Sequence, residues 1–313
     1  MTAPALTPRV AGLLLLPPLL WAGNAVVGRL LVGSVPPLML NLLRWSIALA
    51  LLLPLAWSAV ATTAARQRIV QRWRPLLALG LFGICAYNAL QYLALTTSTP
   101  LNVTLIASSS PVWMLAIGAL FFRERPTRQA ITGAALSLLG VAVVLARGDM
   151  AQLARVRFVP GDLLMLLAIA SWALYSWLLA RPPASIGQER PPEWDWAAFL
   201  LVQTLFGVAW AGTLAGLEAT VAPQPIRWSG WVAAALVYVA IGPSLIAYRC
   251  WAVGVAAVGP AIAAFFANLT PVFAALLSAA LLGEAPKPYH AIAFALTVAG
   301  IAVSSRRRRP PVR

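Results

Sequence analysis

The sequence predicts an all-α integral membrane protein with ten transmembrane helices, arranged as two inverted repeats of five helices each. Three observations support this fold class. Of the 313 residues, 61% are hydrophobic and only 10% are charged, whereas soluble domains carry roughly 25% charged residues. The charges are also unevenly placed, and residues 252–283 contain none. Finally, a proline-containing pattern in the first half of the chain recurs in the second half.

Ten apolar segments follow one another along the chain, and each is close to the length of about 20 residues that a membrane-spanning helix needs. They lie near residues 10–32, 36–60, 75–96, 100–122, 127–146, 161–180, 195–217, 229–251, 256–282 and 287–305. Helices are the expected spanning unit, because a helix satisfies every backbone amide within its own segment. The alternating pattern of a membrane β-barrel is absent from these segments.

The formal net charge of +15 predicts orientation in a membrane and not a nucleic-acid partner. The basic residues lie in loops between apolar segments, not along one helix face interleaved with aromatic residues. The loop from Arg66 to Arg74 and the tail 306–313 would face the same side, which the positive-inside rule makes cytoplasmic. The opposite side would carry fewer basic residues, and the loop with Arg147, Arg155 and Arg157 is the main exception to this orientation. We therefore expect a multi-pass protein of the inner membrane, with the lipid bilayer as its partner and both termini in the cytoplasm.

The repeated pattern aligns residues 100–143 with residues 260–303 without a gap. Both copies share a register of proline, glutamate and glycine, which is harder to match by chance than alanine or leucine. These positions are Pro100, Pro111, Val112, Glu124, Pro126 and Gly140 in one copy, and Pro260, Pro271, Val272, Glu284, Pro286 and Gly300 in the other. The predicted repeats span residues 10–146 and 161–305, followed by the basic cytoplasmic tail 306–313. Because five is odd, the second repeat would enter the membrane in the opposite sense.

The stretches 94–145 and 251–303, which carry this pattern, resemble the EamA family of the drug/metabolite transporter superfamily. With the segment around Trp21-Ala-Gly-Asn24, the resemblance covers nearly the whole chain. It implies a ten-helix exporter or facilitator of small metabolites with an inverted repeat. The second copy departs from the pattern at Glu284-Ala-Pro-Lys-Pro, where the family continues into a Thr or Ser cap, and we expect a changed loop in an unchanged fold.

Arg44 is the most conspicuous candidate residue, because a charged side chain within a membrane segment is costly. It could contact an anion or a carboxylate, act in a gate, or extend its side chain to the membrane interface. Other polar and aromatic side chains could line a substrate cavity or simply join helices by hydrogen bonds. The predicted cavity set is Trp21, Asn24, Arg44, Tyr87, Asn88, Gln91, Ser110, Trp172, Tyr175, Gln203, Tyr248, Asn268 and Thr270.

Pro111 and Pro271 are predicted hinges at matching positions of the two copies. A proline within a helix frees a backbone carbonyl, to which a neighbouring hydroxyl can donate. Such a residue could equally be a fixed structural kink.

The function that these features predict is secondary transport of small metabolites such as amino acids, by alternating access. A carrier or flippase for sugar-linked or lipid-linked substrates is the alternative. A membrane-embedded enzyme is disfavoured because no cluster of His, Asp and Glu suited to catalysis occurs. No catalytic residue, metal site or cofactor is expected. A small-molecule substrate is the expected partner, and a homodimer is compatible with the sequence but not required by it.

Overall fold

The computed structural model describes residues 6–98, 103, 106–146, 149, 151, 159–182, 194–274, 277 and 288–305. All regular secondary structure among these residues is helical. The predicted basic tail 306–313 lies outside the described residues. An all-helical architecture with strongly apolar helices is therefore confirmed for the part of the chain that the structure describes.

Eight α-helices and one π-helical segment have both ends among the described residues of the first half. They are α1 (Pro8–Leu30), α2 (Pro37–Leu55), α3 (Ser58–Ala61), α4 (Thr63–Gln71), α5 (Trp73–Leu79), the first π segment (Gly80–Ala86), α6 (Tyr87–Thr97), α7 (Ser110–Phe122) and α8 (Arg128–Leu145). The side chain of Thr7 caps α1 by accepting from the amide of Val10 at 3.2 Å. Thr and Ser favour this position because their oxygens satisfy amides that lack a partner within the helix.

The second half contains α9 (Pro160–Ala180), α10 (Trp196–Val221), α11 (Gly230–Val239), the second π segment (Ala240–Ile246), α12 (Ala247–Val258), α13 (Pro260–Ala267) and α14 (Pro288–Ser305). Asp195 caps α10 and Ser229 caps α11 in the same manner as Thr7 caps α1. Glu218 of α10 reaches across to the start of α2, where its carboxylate accepts from the amides of Leu38 and Met39 at 3.1 and 2.9 Å. The two halves are therefore joined at a helix end.

Six helices of the described residues are long and apolar enough to cross a membrane: Pro8–Leu30, Pro37–Leu55, Trp73–Thr97, Pro160–Ala180, Trp196–Val221 and Gly230–Val258. Shorter apolar helices occupy Ser110–Phe122, Arg128–Val143, Pro260–Ala274 and Ala291–Ser304. The chain is thus a multi-pass membrane protein by length and composition, while the layout of ten crossings remains a prediction.

The two π segments lie 160 residues apart, at Gly80–Ala86 and Ala240–Ile246. Each interrupts a long helix, α5 to α6 in one half and α11 to α12 in the other. A π turn separates some backbone carbonyls from their usual amide partners. In both π segments a side chain donates a hydrogen bond to such a carbonyl. Asn88 donates to the carbonyls of Gly83 and Ile84 at 3.2 and 3.1 Å, and Ser244 donates to that of Val239 at 2.7 Å. Such bulges are frequent at functional sites.

A second pair of irregularities also lies 160 residues apart. The helical path breaks into a turn at residues 108–109 before α7 and at residues 268–269 after α13. Pro111 therefore lies in the first turn of α7 rather than in the middle of a helix. The hydroxyls of Ser109 and Thr270 donate to the carbonyls of Ile106 and Ala267, at 2.6 and 2.7 Å. These carbonyls at the breaks are satisfied without a continuous helix.

Helices α8 and α14 occupy equivalent places in the two copies and pack directly against each other. They run antiparallel, since Gly133 approaches Gly300 while Gly140 approaches Ala293. A methyl group at Gly140 would lie 2.8 Å from the carbonyl oxygen of Ala293. Glycine is required there because the two backbones nearly touch.

Candidate functional site

Arg44 projects from α2 into the interior of the helix bundle and is only 1% exposed. Its Nε donates to Ser244 at 2.6 Å. Its Nη1 lies 2.8 Å from Asn88 Oδ1, 2.9 Å from the Tyr92 hydroxyl and 3.4 Å from Asn24 Oδ1. The interpretation of Arg44 as a side chain that extends to the membrane interface is wrong for this structure, because the guanidinium is enclosed by helices α1, α2, α6 and the second π segment.

The polar network continues from Arg44 in two directions. Asn24 donates to Gln91 at 3.3 Å and accepts from the hydroxyl of Tyr92 at 3.0 Å. Asn88 donates to the hydroxyl of Tyr248 at 3.0 Å, and that hydroxyl also donates to the carbonyl of Gly83. Positions 88 and 248 are 160 residues apart, so equivalent positions of the two halves meet here.

An aromatic cluster centred on Trp172 of α9 lies beside this network. Five rings have centroids between 4.9 and 5.3 Å from the Trp172 ring: Trp21, Tyr87, Tyr175, Tyr248 and Trp251. All six side chains are buried, at 8% exposure or less. All five pairs with Trp172 are tilted or edge-on, and none is a face-to-face stack, the arrangement that the ring quadrupole disfavours.

A small cavity, which we call the central cavity, lies between the aromatic cluster and the two helix breaks. Its lining consists of Trp21, Ala25, Tyr87, Gln91, Val103, Ala107, Ser110, Ile169, Trp172, Ala267 and Thr270. Two pairs of lining residues are separated by 160 positions, Ala107 with Ala267 and Ser110 with Thr270. The two copies thus contribute equivalent residues to one cavity.

The central cavity has a volume of about 40 Å³. That is room for a few water molecules, whereas cavities that hold small-molecule ligands span roughly 300–1,000 Å³. The central cavity is therefore too small, in this structure, to enclose a molecule the size of an amino acid.

A second, larger cavity of about 440 Å³, which we call the vestibule, opens near the α1–α2 loop and the end of α10. It is lined by Gly28, Val32, Gly33, Val35, Pro36, Pro37, Leu40, Tyr92, Leu93, Thr96, Glu218, Ala222 and Gln224. Tyr92 belongs both to the vestibule and to the polar network around Arg44. It lines the vestibule, and its hydroxyl contacts Arg44 and Asn24. Hydrogen bonds from Tyr92 to Asn24 and from Asn24 to Gln91 therefore link a residue of the vestibule to a residue of the central cavity.

The structure brings most of the predicted cavity residues together. Six of them line the central cavity: Trp21, Tyr87, Gln91, Ser110, Trp172 and Thr270. Asn24, Arg44, Asn88 and Tyr248 form the adjoining network, and Tyr175 packs in the aromatic cluster.

The other two predicted residues, Gln203 and Asn268, belong neither to the lining of a cavity nor to the adjoining network and aromatic cluster. Gln203 bonds only within its own helix, to the carbonyl of Phe199 at 3.0 Å, and its Oε1 is buried with no partner among the described residues. Asn268 is fully buried at the second helix break, and within the described part of the chain neither its Nδ2 nor its Oδ1 has a partner.

Sequence reasoning missed Tyr92 and Ser244, which both bond to Arg44. Tyr92 follows Asn88 by four residues, so helical periodicity places both on one face of α6, and this signal could have identified it. Ser244 lies in a π turn, and no sequence pattern marks it.

Comparison with known proteins places the chain in a family. The model of the EamA-like transporter family matches residues 9–146 and 159–306. The chain belongs to this family.

Several curated relatives are similar along most of their length. An uncharacterized transporter of Archaeoglobus fulgidus is 26% identical over 95% of this chain and 97% of its own. The aromatic amino acid exporter YddG of Ancylobacter novellus is 28% identical over 92% and 93%. A probable terminal-alkyne amino-acid exporter of Streptantibioticus cattleyicolor is 27% identical over 74% and 73%. Among solved structures that match, a crystal structure of a protein has a TM-score of 0.71 at 26% identity, covering 95% of this chain and 96% of the other.

Proposed function

We propose that this member of the EamA-like transporter family is a secondary transporter, and not an enzyme, that exports small metabolites such as amino acids or facilitates their passage. The observation that carries this proposal is the central cavity between the two helix breaks. Equivalent residues of the two halves line it, and aromatic and amide side chains surround it. Transporters built from inverted repeats bind substrate at such an interface.

The proposed architecture is ten crossings in two inverted repeats. Three features 160 residues apart support it: the π segments, the helix breaks and the antiparallel contact of α8 with α14. If two similar halves can exchange slightly different shapes, the cavity opens to one side and then to the other. The small volume of the central cavity fits a closed state in such a cycle.

The proposed substrate class is amino acids, with aromatic ones tested first. Trp21, Tyr87 and Trp172 give the cavity flat apolar walls, while Gln91 and Ser110 offer hydrogen bonds. Pockets of this composition orient a ligand through a few polar groups. Two similar proteins are named as amino-acid exporters.

Transport as a facilitator or exchanger, without proton coupling, is the proposed mode. Proton-coupled carriers usually use an embedded carboxylate. The buried carboxylate of Asp162 lies at the start of α9. It accepts hydrogen bonds there from the amide of Val159 at 2.8 Å and from the hydroxyl of Ser98. Glu218 is occupied by the start of α2. Both carboxylates thus act as helix caps.

The test is flux into liposomes containing the purified protein. We expect radiolabelled L-phenylalanine to enter faster than into protein-free liposomes, and faster still when unlabelled L-phenylalanine is inside. A nucleotide sugar tests the alternative class of substrate. If none of the amino acids, nucleotide sugars and other small solutes crosses above the protein-free rate, the proposed function is wrong.

The proposed location is the inner membrane with both termini in the cytoplasm. The loops 31–36 and 222–229 lie on one side, since the amide of Arg227 donates to the carbonyl of Ser34 at 2.9 Å. A Ser34→Cys variant should react with a membrane-impermeant maleimide that is added on the side of the membrane opposite the cytoplasm. Background is low because the native Cys85 and Cys250 are buried. Labelling only from the cytoplasmic side would reverse the orientation.

A further inference from the structure

Arg44 carries a buried positive charge, and every partner that the structure gives it is neutral. These partners are the hydroxyls of Ser244 and Tyr92 and the amide oxygens of Asn24 and Asn88. No described carboxylate lies within ion-pair distance of it. A buried ion without an opposite charge is strongly unfavourable, and neutral acceptors offset only part of that cost.

The hydrogen bonds around this guanidinium are also unevenly distributed. Nη1 has two hydrogens but three oxygens within 3.4 Å. Nη2 also has two hydrogens, yet no acceptor for it is found in the described part of the chain. An arginine that only joined helices would gain most with each N–H paired once. In Arg44, by contrast, the N–H groups of Nη2 have no acceptor among the described residues.

The location of Arg44 makes Nη2 relevant to the proposed transport. Tyr92, which contacts the guanidinium directly, lines the vestibule. On the other side, Asn24 links Arg44 to Gln91, which lines the central cavity. Among the described side chains of this hydrogen-bonded network between the two cavities, Arg44 is the only charged one.

We infer that Arg44 binds the carboxylate of the transported solute. This inference rests on the proposed transport function and names the group that the carrier recognises. The carboxylate replaces Asn24 and Tyr92 on Nη1 and supplies an acceptor for Nη2, in the bidentate geometry that guanidinium and carboxylate share. Displacing Tyr92 also breaks the hydrogen-bonded link between the vestibule and the central cavity. The nearby rings of Trp45 and Tyr92, 5.4 and 5.9 Å from Arg44 Cζ, keep the cation stabilised between cycles.

The first experiment compares solutes and needs no variant. Proteoliposomes take up radiolabelled L-phenylalanine in competition with unlabelled L-phenylalanine, L-phenylalaninamide or phenethylamine, which share the ring but differ at the carboxylate. Because hydrogen bonds to charged groups are the strong ones, the acid should compete roughly 10- to 100-fold better than the amide or the amine. Equal competition by all three would overturn the inference while leaving transport established.

The second experiment locates this preference at Arg44. Arg44→Gln should lose the preference of acid over amide, and Arg44→Lys should retain part of it, because an ammonium still attracts a carboxylate but lacks the fork. A purely structural role predicts lower flux for every solute with an unchanged preference.

The matched control is Arg249→Gln, which also removes an arginine from a predicted membrane segment. Arg249 is exposed and lies over the ring of Trp196 at 5.2 Å, away from both cavities. Its substitution should leave the preference intact. An unchanged preference in Arg44→Gln, or a preference lost equally in Arg249→Gln, contradicts the assignment. Absence of uptake of L-phenylalanine and of every other solute in the wild-type protein is a separate result, which counts against the proposed function itself.

Discussion

Helices α6 and α12 follow equivalent π segments, yet they present different side chains to the interior. Helix α6 presents two amides, Asn88 and Gln91, and one hydroxyl, that of Tyr92. The positions 160 residues later on α12 are Tyr248, Trp251 and Ala252. The first helix therefore forms a hydrogen-bonding wall around Arg44, while the second contributes rings to the cluster around Trp172.

This difference shows that the backbone repeats while the chemistry does not. In the proposed transport cycle a symmetric scaffold would allow the two halves to exchange shapes, while the proposed amino-acid substrate, which has a polar end and an apolar end, would need two unlike walls. The contact between Asn88 and Tyr248 joins the two walls at equivalent positions. Substitutions on each wall should therefore have effects of different kinds.

The largest expected effect is on the aromatic wall. Trp172→Ala removes the ring that contacts five others and should lower the free energy of unfolding by about 4 kcal/mol, the usual loss for a buried tryptophan. Denaturant titration in mild detergent measures it. Trp231→Ala is the matched control, because that ring is 52% exposed and should cost less than half as much. Similar losses at both positions would mean that the cluster has no special role in packing.

The polar wall should respond through its hydrogen bonds. Asn88→Leu keeps the approximate volume but removes an acceptor of Arg44 and the donor to Gly83, Ile84 and Tyr248. We expect the free energy of unfolding to fall by about 3 kcal/mol, because a buried charge loses a partner.

Gln203→Leu provides the control for Asn88→Leu. It also replaces a buried amide, but Gln203 bonds only within α10 and its Oε1 has no described partner. Removing an unpaired buried oxygen should leave stability unchanged or slightly raised. A loss at Gln203 as large as that at Asn88 would contradict the view that the network around Arg44 is energetically distinct.

The scaffold that the two walls share can be tested at the contact of α8 with α14. Gly140→Ala places a methyl group 2.8 Å from the carbonyl oxygen of Ala293, and overpacking of this kind costs about 2 kcal/mol. The same substitution at Gly216 of α10 meets no atom within 4 Å. There it should be neutral or stabilising, since alanine favours a helix more than glycine does. Thermal unfolding of both variants in one detergent gives the comparison.

The sequence predicted the membrane class and six of the eleven residues that line the central cavity, because polar and large aromatic side chains stand out in apolar segments, whereas the alanines and other aliphatic residues of the lining do not. It did not predict the paired π segments. Gly80–Ala86 and Ala240–Ile246 share no identical residue at equivalent positions, so the repeat is visible only in the backbone. The interior position of Arg44 was also open, since the same spacing allows a side chain to reach the interface or a neighbouring helix. Only the packing of α2 against α1, α6 and the second π segment, which supply the partners of Arg44, decides between them.

The smallest expected effect distinguishes the two hydroxyls that face the central cavity from equivalent positions. Thr270 donates to the carbonyl of Ala267 at 2.7 Å, whereas Ser110 Oγ has no partner among the described residues. Thr270→Ala should therefore lower the free energy of unfolding by about 1 kcal/mol. Ser110→Ala should leave the free energy of unfolding unchanged. It should raise the concentration of L-phenylalanine at which flux is half-maximal, because the hydroxyl of Ser110 is available to a bound solute. Proteoliposome flux over a concentration series, beside denaturant titration, separates the two. If Ser110→Ala destabilises the protein as much as Thr270→Ala does, both hydroxyls serve the helix breaks, and the halves differ less at the cavity than α6 and α12 suggest.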